Sequence, residues 1–464
     1  MTKKLSMKFK VLFLQSLIGL TGGIVFAEDS LVQMEKNTAT AKQCDQFKSQ
    51  LATNAKVKTG TLQVPLKYNP SSKNQISLFY WVREKLQSET QYPPLLLIHG
   101  GVGGNSSGMF TWTAVMNSYP GDIVSLDLRG EGCSNYFGYN EKYSEYRSVT
   151  IDATVKDLER LRAHLYGNKR WRIFGQSRGS AIGHRYLESY PGSLESVHVH
   201  GLAMMSETDY PKYSVQRSYF NARAGRTFYS LYPQAGQVID QIRTLLLSEP
   251  ECFSVNYALL DLPINQQPQV CGADVVDAFS GRLGGFAGWE GFAKSLVALV
   301  DESGQLNKVG ARQLIQSSLD SSLYIRYLGY IFGTNSQEFH APDIKTLKQI
   351  EQIPEINNAP LSEGRFILNV AFPLYKSVHG DQVIATHRFY DFARVRKSLQ
   401  KCILKNDQLR VKVYMSEYDP VAGPEAFQYE QQKLQGVADF ILIEKSAHDG
   451  WKTHPQVSEE LLKK

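Results

Sequence analysis

WRIFGQSRGSAIGHRYLESYP, residues 171–191, is the stretch on which the reading of this chain turns. A short apolar run enters Gly175-Gln176-Ser177-Arg178-Gly179 and leaves in a segment with helical periodicity. Gly-x-Ser-x-Gly carries a steric demand: a serine held on a tight strand-to-helix bend needs neighbours two residues away that lack colliding side chains. The pentapeptide alone occurs in many chains. Its position after an apolar strand and before a helix makes Ser177 a candidate nucleophile rather than a serine in an ordinary bend.

The same design of apolar strand followed by glycine-rich loop recurs on both sides. PPLLLIHGG (93–101) is a continuous apolar run ending in glycines, the pattern of a strand buried on both faces. DIVSLDLRGEG (122–132) repeats it, and LESVHVHGLAMMS (194–206) is a further candidate. Between them TIDATVKDLERLRAHLYG (150–167) spaces its apolar residues at three- and four-residue steps before a closing glycine, which predicts a helix. Upstream, VKTGTLQVPLKYNPSSKNQISLFYWVREK (57–85) reads as two strands around a turn. Strands alternating with helices imply an α/β fold, a mostly parallel sheet flanked by helices.

That regularity lapses over residues 207–395, which are rich in Tyr, Phe, Gln and Ser and hold helical stretches such as ARQLIQSSLDSSLYIRYLGYIF (311–332). A segment this long is no loop and is expected to be a large, mainly helical cap inserted into the core. The core is thereby divided into residues 28–206 and 396–464. The alternation resumes in LRVKVYMSEYDP (409–420), a helix near 423–435 and DFILIEKSAHDG (439–450).

A nucleophilic serine needs a base, and the base an orienting carboxylate, in the chain order Ser, Asp or Glu, His, the last two in loops after late strands. Asp419 follows one late strand and His448 the next, so both fall where that order requires. Glu417, Asp449 and His454 are their rivals, His454 being the expected start of the last helix; His184 is expected to be structural. Negative charge on the substrate oxygen calls for two fixed donors, expected to be the N–H groups of Arg178 and of Gly101 in HGGVGG (99–104). No Lys-Ser/Thr follows those glycines at phosphate-loop spacing. Asp127 and Arg129 are expected to brace the loops, and Cys133 to be a buried thiol. No metal or organic cofactor is implied.

Together the motifs resemble those of the α/β-hydrolase fold peptidases that include proline iminopeptidase and the secreted tripeptidyl aminopeptidases. HGGVGG is similar to that family's His-Gly-Gly-Pro-Gly-Gly, DLRGEGCS (127–134) to its Asp-x-Arg-Gly-x-Gly-x-Ser, and SEYDPVAGPEA (416–426) to its acid loop. The resemblance implies a catalytic triad of Ser177, Asp419 and His448, and short peptides as substrates. Iminopeptidases bind the substrate's free amine with cap glutamates, one in a Trp-Glu-Gly segment, which points to Trp289 and Glu290 in FAGWEGFAKSL (286–296). The alternative is a glutamate on a solvated helix face beside a core tryptophan. Val102 replaces the usual proline, and Arg178 stands where iminopeptidases usually carry tryptophan. Its side chain either meets a substrate carboxylate or pairs with a neighbouring acid.

Four lysines precede an apolar run ending in Val25-Phe26-Ala27, which predicts a signal peptide over residues 1–27 and a secreted or periplasmic protein; a retained anchor is the alternative. Without those lysines, the chain's 51 basic residues fall to 47 against 45 acidic ones, a net charge near +2. That is no footprint for nucleic acid, and no stable membrane insertion is expected after cleavage. Residues 28–56 are expected to pack loosely. Of five cysteines, Cys252 and Cys271 flank one short segment and are the expected disulfide. Taken together these features lead to an exported serine aminopeptidase, with a carboxylesterase using the same triad, or a binding protein with a relic site, as alternatives.

Overall fold

A computed structural model of the protein describes residues 44–69, 74–86, 91–101, 105–134, 148–201, 210–255, 269–336, 348–371, 401, 409–436 and 438–463. The signal peptide expected over residues 1–27 lies outside the described residues, as does Cys402.

The sheet contains β1 (Val57–Pro65), β2 (Gln75–Arg83), β3 (Leu95–Ile98), β4 (Ile123–Leu126), β5 (Trp171–Gln176), β6 (Leu194–His200), β9 (Arg410–Ser416) and β10 (Asp439–Ile443). A separate antiparallel hairpin consists of β7 (Cys252–Ser254) and β8 (Gln269–Cys271). The eight-stranded order is β1-β2-β4-β3-β5-β6-β9-β10. β1 pairs antiparallel with β2, and β2 with β4; from β4 through β10 every pairing is parallel. The four residues of β3 are all buried. Leu95 and Leu97 point into a cluster with Trp112, Phe174 and Trp451, while Leu96 and Ile98 point into the opposite one with Ile173 and Val197. A strand with two apolar faces can sit only inside a sheet covered on both sides.

The order β4-β3-β5 places the functional loops. The chain leaves β3 toward β4 on one side, and leaves β5 toward β6 on the other. Between the ends of β3 and β5 the connections diverge, and this switch point opens the crevice in which open parallel sheets bind ligands. The glycines after β3 and the serine after β5 border it.

Helix α1 (Ile151–Tyr166) starts where Thr150 accepts a hydrogen bond from the Ala153 N–H at 3.0 Å and ends at Gly167, φ 59°. Helix α2 (Arg178–Ser189) follows the nucleophile bend. Between β6 and β9, the described residues are mainly helical, with the β7–β8 hairpin among them: α3 (Tyr210–Leu231), α4 (Pro233–Ser248), α5 (Trp289–Val297) and α6 (Lys308–Ser336) are the longer α-helices. The hairpin carries the Cys252–Cys271 disulfide expected from spacing.

Two expectations near the N-terminus need correction. Residues 44–52 are helical, and Phe47 and Leu51 are buried against Phe79 and Phe110, so this part of the leader is docked. Cys133 is not a thiol: it forms a disulfide with Cys44. A spacing of 89 residues hides such a pair from sequence inspection.

Arg129 ties the first half of the core together. Its guanidinium donates to both oxygens of Asp157 (2.6 and 2.8 Å) and to the carbonyls of Leu66, Ser148 and Pro65 (2.8, 3.1 and 3.0 Å). Five donated bonds satisfy a buried guanidinium completely. Replacing Arg129 by Met strands the Asp157 carboxylate in the interior and is expected to cost about 3–5 kcal/mol in denaturant unfolding. A loss under about 1 kcal/mol would show that the pair is not the brace described.

Candidate active site

The site is built around Ser177, which holds φ 52° and ψ −119°. Among the described residues only Lys445 is another non-glycine at positive φ. A left-handed backbone costs a side-chain-bearing residue about 1–3 kcal/mol and persists only when its surroundings enforce it. The enforcement is visible. The Ser177 N–H donates to the His200 carbonyl at 2.7 Å, and the Ser177 carbonyl accepts from the Ser180 N–H at 2.8 Å. A Cβ on Gly175 would lie 2.2 Å from the Gly179 carbonyl oxygen, and one on Gly179 would lie 2.3 Å from that of Ile98. The two glycines therefore let β5, α2 and β3 close to backbone contact, and the serine side chain is directed off the bend. Arg178 opens α2, so its N–H belongs to the first-turn amides that point out of a helix end and favour negative charge.

Across the crevice, Gly101 follows β3 at φ 77°. A Cβ on its neighbour Gly100 would lie 1.9 Å from Gln176 Oε1, so the loop after β3 presses on the residue before the nucleophile. Asp127 fixes the adjoining loops: Oδ1 accepts from the Ser106 N–H at 2.6 Å and Oδ2 from the Cys133 N–H at 2.7 Å.

The expected acid and base come together. His448 Nδ1 lies 2.8 Å from Asp419 Oδ2, while Asp419 Oδ1 accepts from the Val421 and Ala422 N–H groups at 2.7 and 2.9 Å. Burial of Asp419 opposes its ionisation, but the charge and hydrogen bond of His448 outweigh it and hold the carboxyl below its ordinary range. This bond fixes the ring and, with Nδ1 donating, leaves Nε2 as the basic nitrogen. The rivals are engaged elsewhere. Glu417 accepts from the Lys445 N–H at 2.8 Å, Asp449 from the Phe286 N–H at 3.0 Å, and His454 caps the last helix by accepting from the Gln456 N–H at 3.3 Å.

Gly201 escaped sequence reasoning. It follows His200, whose carbonyl holds Ser177, and a Cβ there would lie 2.9 Å from His448 Cε1 and 3.1 Å from Nδ1. The one available signal was a glycine ending an apolar strand. Residues 200 and 201 thus touch the nucleophile's backbone on one side and the Asp419–His448 pair on the other.

The substrate-binding reading of Trp289 and Glu290 needs correction. Trp289 is fully buried, donates to the Leu283 carbonyl at 3.2 Å and packs with Phe286 and Tyr418. Glu290 is turned to solvent, its side chain 65% exposed, and pairs with Lys294 one turn on. One position along a helix rotates the direction by about 100°, so a buried Trp289 carries Glu290 outward. Arg178 resolves the other way: its side chain is buried and bonds to Glu131, a neighbouring acid.

Residues 93–239 match a family model described as alpha/beta hydrolase fold. A probable proline iminopeptidase of Streptomyces coelicolor is 33% identical over 119 residues, 25% of this chain and 35% of that protein. A proline iminopeptidase of Aspergillus aculeatus is 23% identical over 222 residues, 43% of this chain and 49% of that protein. The chain thus spans about a third to a half of the length of these curated relatives. The crystal structure of proline iminopeptidase from Mycobacterium smegmatis aligns over 87% of this chain and 97% of that one, at 13% identity and a TM-score of 0.41, too remote to bear on function.

Two outcomes are expected of this geometry. Gly201→Ala inserts a methyl group against His448, and a displacement of order 1 Å should cost about 10²-fold in turnover of any substrate while the protein stays folded. Native turnover in Gly201→Ala would mean that the contact does not set the ring. His198 and His200 are buried, and burial lowers both from the ordinary 6.5 to about 3. Between those values the unfolded chain takes up protons that the folded chain rejects. Their contribution is therefore complete above pH 6.5 and lost on acidification toward pH 3, each at about 1.4 kcal/mol per pH unit. Unfolding free energies between pH 7 and 4 check this; His198→Asn should reduce the slope by one such increment, and an unchanged slope contradicts it.

Sheet topology and family match lead to one conclusion: the chain has the α/β-hydrolase fold and is similar, over part of its length, to proline iminopeptidases.

Proposed function

We propose that the protein is an exported serine aminopeptidase that hydrolyses short peptides near their free N-terminus through an acyl-enzyme. The observation that carries the reading is the convergence on residues 200–201. The backbone that holds the strained Ser177 also abuts the Asp419–His448 pair, with Asp419 Oδ2 2.8 Å from Nδ1. Ser177 Oγ attacks the scissile carbonyl as His448 Nε2 takes its proton. Asp419 keeps the ring oriented and stabilises the imidazolium. The developing oxyanion is received by the N–H groups of Arg178 and Gly101. His448 then protonates the leaving amine, and water, activated by the same nitrogen, releases the acyl group.

The similarity to proline iminopeptidases supports a peptide substrate. The two disulfides support export, because such bonds persist in oxidising compartments. A carboxylesterase is the second reading, favoured by one observation: Glu290, the residue singled out for amine recognition, faces solvent and is paired with Lys294.

A panel of chromogenic prolyl, alanyl and tripeptidyl amides, their N-blocked forms and simple esters separates the two. Free-amine amides should be cleaved with kcat/KM at least about tenfold above their blocked forms, a 1.4 kcal/mol preference, and Ser177→Ala should abolish cleavage. Hydrolysis confined to esters, or indifferent to blocking, would favour the esterase.

A further inference from the structure

Gly101 poses a problem that packing does not solve. It stands at φ 77°, and among the described residues a Cβ built on it would meet nothing within 4 Å. A glycine in open space is the most mobile backbone unit a chain can have. An oxyanion donor must instead be fixed before the reaction begins, because a donor that has to reorient contributes little.

Three buried side chains hold this short segment: His99 within it, Arg178 at the start of α2, and Glu131 on the loop after β4. His99 Nδ1 lies 3.1 Å from the Gly100 carbonyl oxygen. A carbonyl only accepts, so the nitrogen donates. Carbonyl and N–H of one trans peptide point in opposite directions, and holding the Gly100 oxygen therefore aims the Gly101 N–H. Arg178 Nη1 reaches the Gly101 carbonyl at 3.4 Å and so restrains the next peptide plane. Glu131 stands between the two: Oε1 accepts from Arg178 Nη1, and Oε2 lies 3.6 Å from His99 Nε2. Glu131 itself is held on a rigid turn. Its N–H donates to the Leu128 carbonyl at 3.0 Å, its carbonyl accepts from the Ser134 N–H at 3.0 Å, and Cys133 in the same turn is joined to Cys44. All three side chains are at most 5% exposed, so the guanidinium is spent on Glu131 and the Gly101 carbonyl rather than on solvent.

We propose that Arg178, Glu131 and His99 are positioning residues for oxyanion stabilisation, a buried charged brace that holds the peptide planes around Gly101 from beneath. Arg178 thus acts twice, with its N–H as donor and its side chain as support for the second donor, and it does not bind a substrate carboxylate. The inference rests on the serine hydrolase reading above.

The decisive variant is Arg178→Met with Glu131→Gln, which removes both charges together. A buried pair exchanged for neutral groups is tolerated far better than one broken by a single change, so the melting temperature should stay within about 4 °C of the native protein. With the brace gone, kcat should fall roughly 10- to 100-fold at unchanged KM, part of the loss that follows removal of an oxyanion donor. A boronic acid inhibitor, whose tetrahedral adduct on Ser177 presents the oxyanion, should weaken by the same factor. Peptides with a free C-terminus and their C-terminal amides should lose equally. Native kcat in the folded double variant overturns the proposal. So does a loss expressed as higher KM for free-carboxylate peptides alone, which would make Arg178 a substrate ligand. If the double variant does not fold, Arg178→Lys decides: it keeps a cation facing Glu131, but its chain ends one atom short of Nη1, the nitrogen that reaches both Glu131 and the Gly101 carbonyl. Reduced kcat at native KM then supports the brace, and native kcat refutes it. A native protein that hydrolyses none of these substrates and is not labelled at Ser177 by a fluorophosphonate sinks the hydrolase reading, and this inference with it.

Discussion

The left-handed backbone of Ser177 is the constraint on which the rest of the site depends. Holding it there requires β5, α2 and β3 to meet with no side chain between them, which is why Gly175 and Gly179 face carbonyl oxygens at distances a Cβ cannot occupy. It also requires a fixed acceptor for the Ser177 N–H, supplied by the end of β6 through the His200 carbonyl. Because β3 and β6 flank β5 in the sheet, the loops leaving all three are drawn to one edge. The loop after β3 brings the glycines, the loop after β6 brings Gly201, and the loops after β9 and β10 bring Asp419 and His448. The free energy stored in one strained residue is small beside the packing of the two apolar clusters that hold it.

Buried charge is the second theme. Asp127, Glu131, Asp157 and Asp419 all lie in the interior, and each is answered by a donor from another segment of the chain. Such groups contribute little net stability, but they fix where the loops sit. The helical segment between β6 and β9 is fastened in the same way to the catalytic edge. Arg223 on α3 donates to the Glu417 carbonyl at 2.9 Å and pairs with Glu425, so it clasps the loop that carries Asp419. Asp449, next to His448, accepts from the Phe286 N–H, and Phe286 and Trp289 pack on Tyr418, next to Asp419. A shift of the helical segment is therefore felt first at the acid and the base.

Much of this was legible in the chain. Short, mostly apolar strands leading into glycine-bearing loops marked β3 and β4, and the chain order of Ser177, Asp419 and His448 marked the loops that meet. These signals are local or ordinal, and both survive in a one-dimensional string. What stayed hidden depends on distance or direction. The Cys44–Cys133 bond joins residues 89 apart, and Gly201 is needed only because of a ring 247 positions further on. Glu290 was misplaced for a different reason: the Trp-Glu-Gly triplet says that one residue of the pair is buried, and the helix decides which. Arg178 was left between two roles because its partner, Glu131, lies on another loop.

The most direct measurement is intact-mass analysis of the folded protein after exposure to a fluorophosphonate, followed by peptide mapping of the adduct. An activated Ser177 should take up one phosphonyl group on the peptide containing Gly175–Gly179, and His448→Ala should suppress the reaction. A folded protein that remains unlabelled, or labelling that survives loss of His448 unchanged, would contradict the assignment of Ser177 as a nucleophile driven by the Asp419–His448 pair.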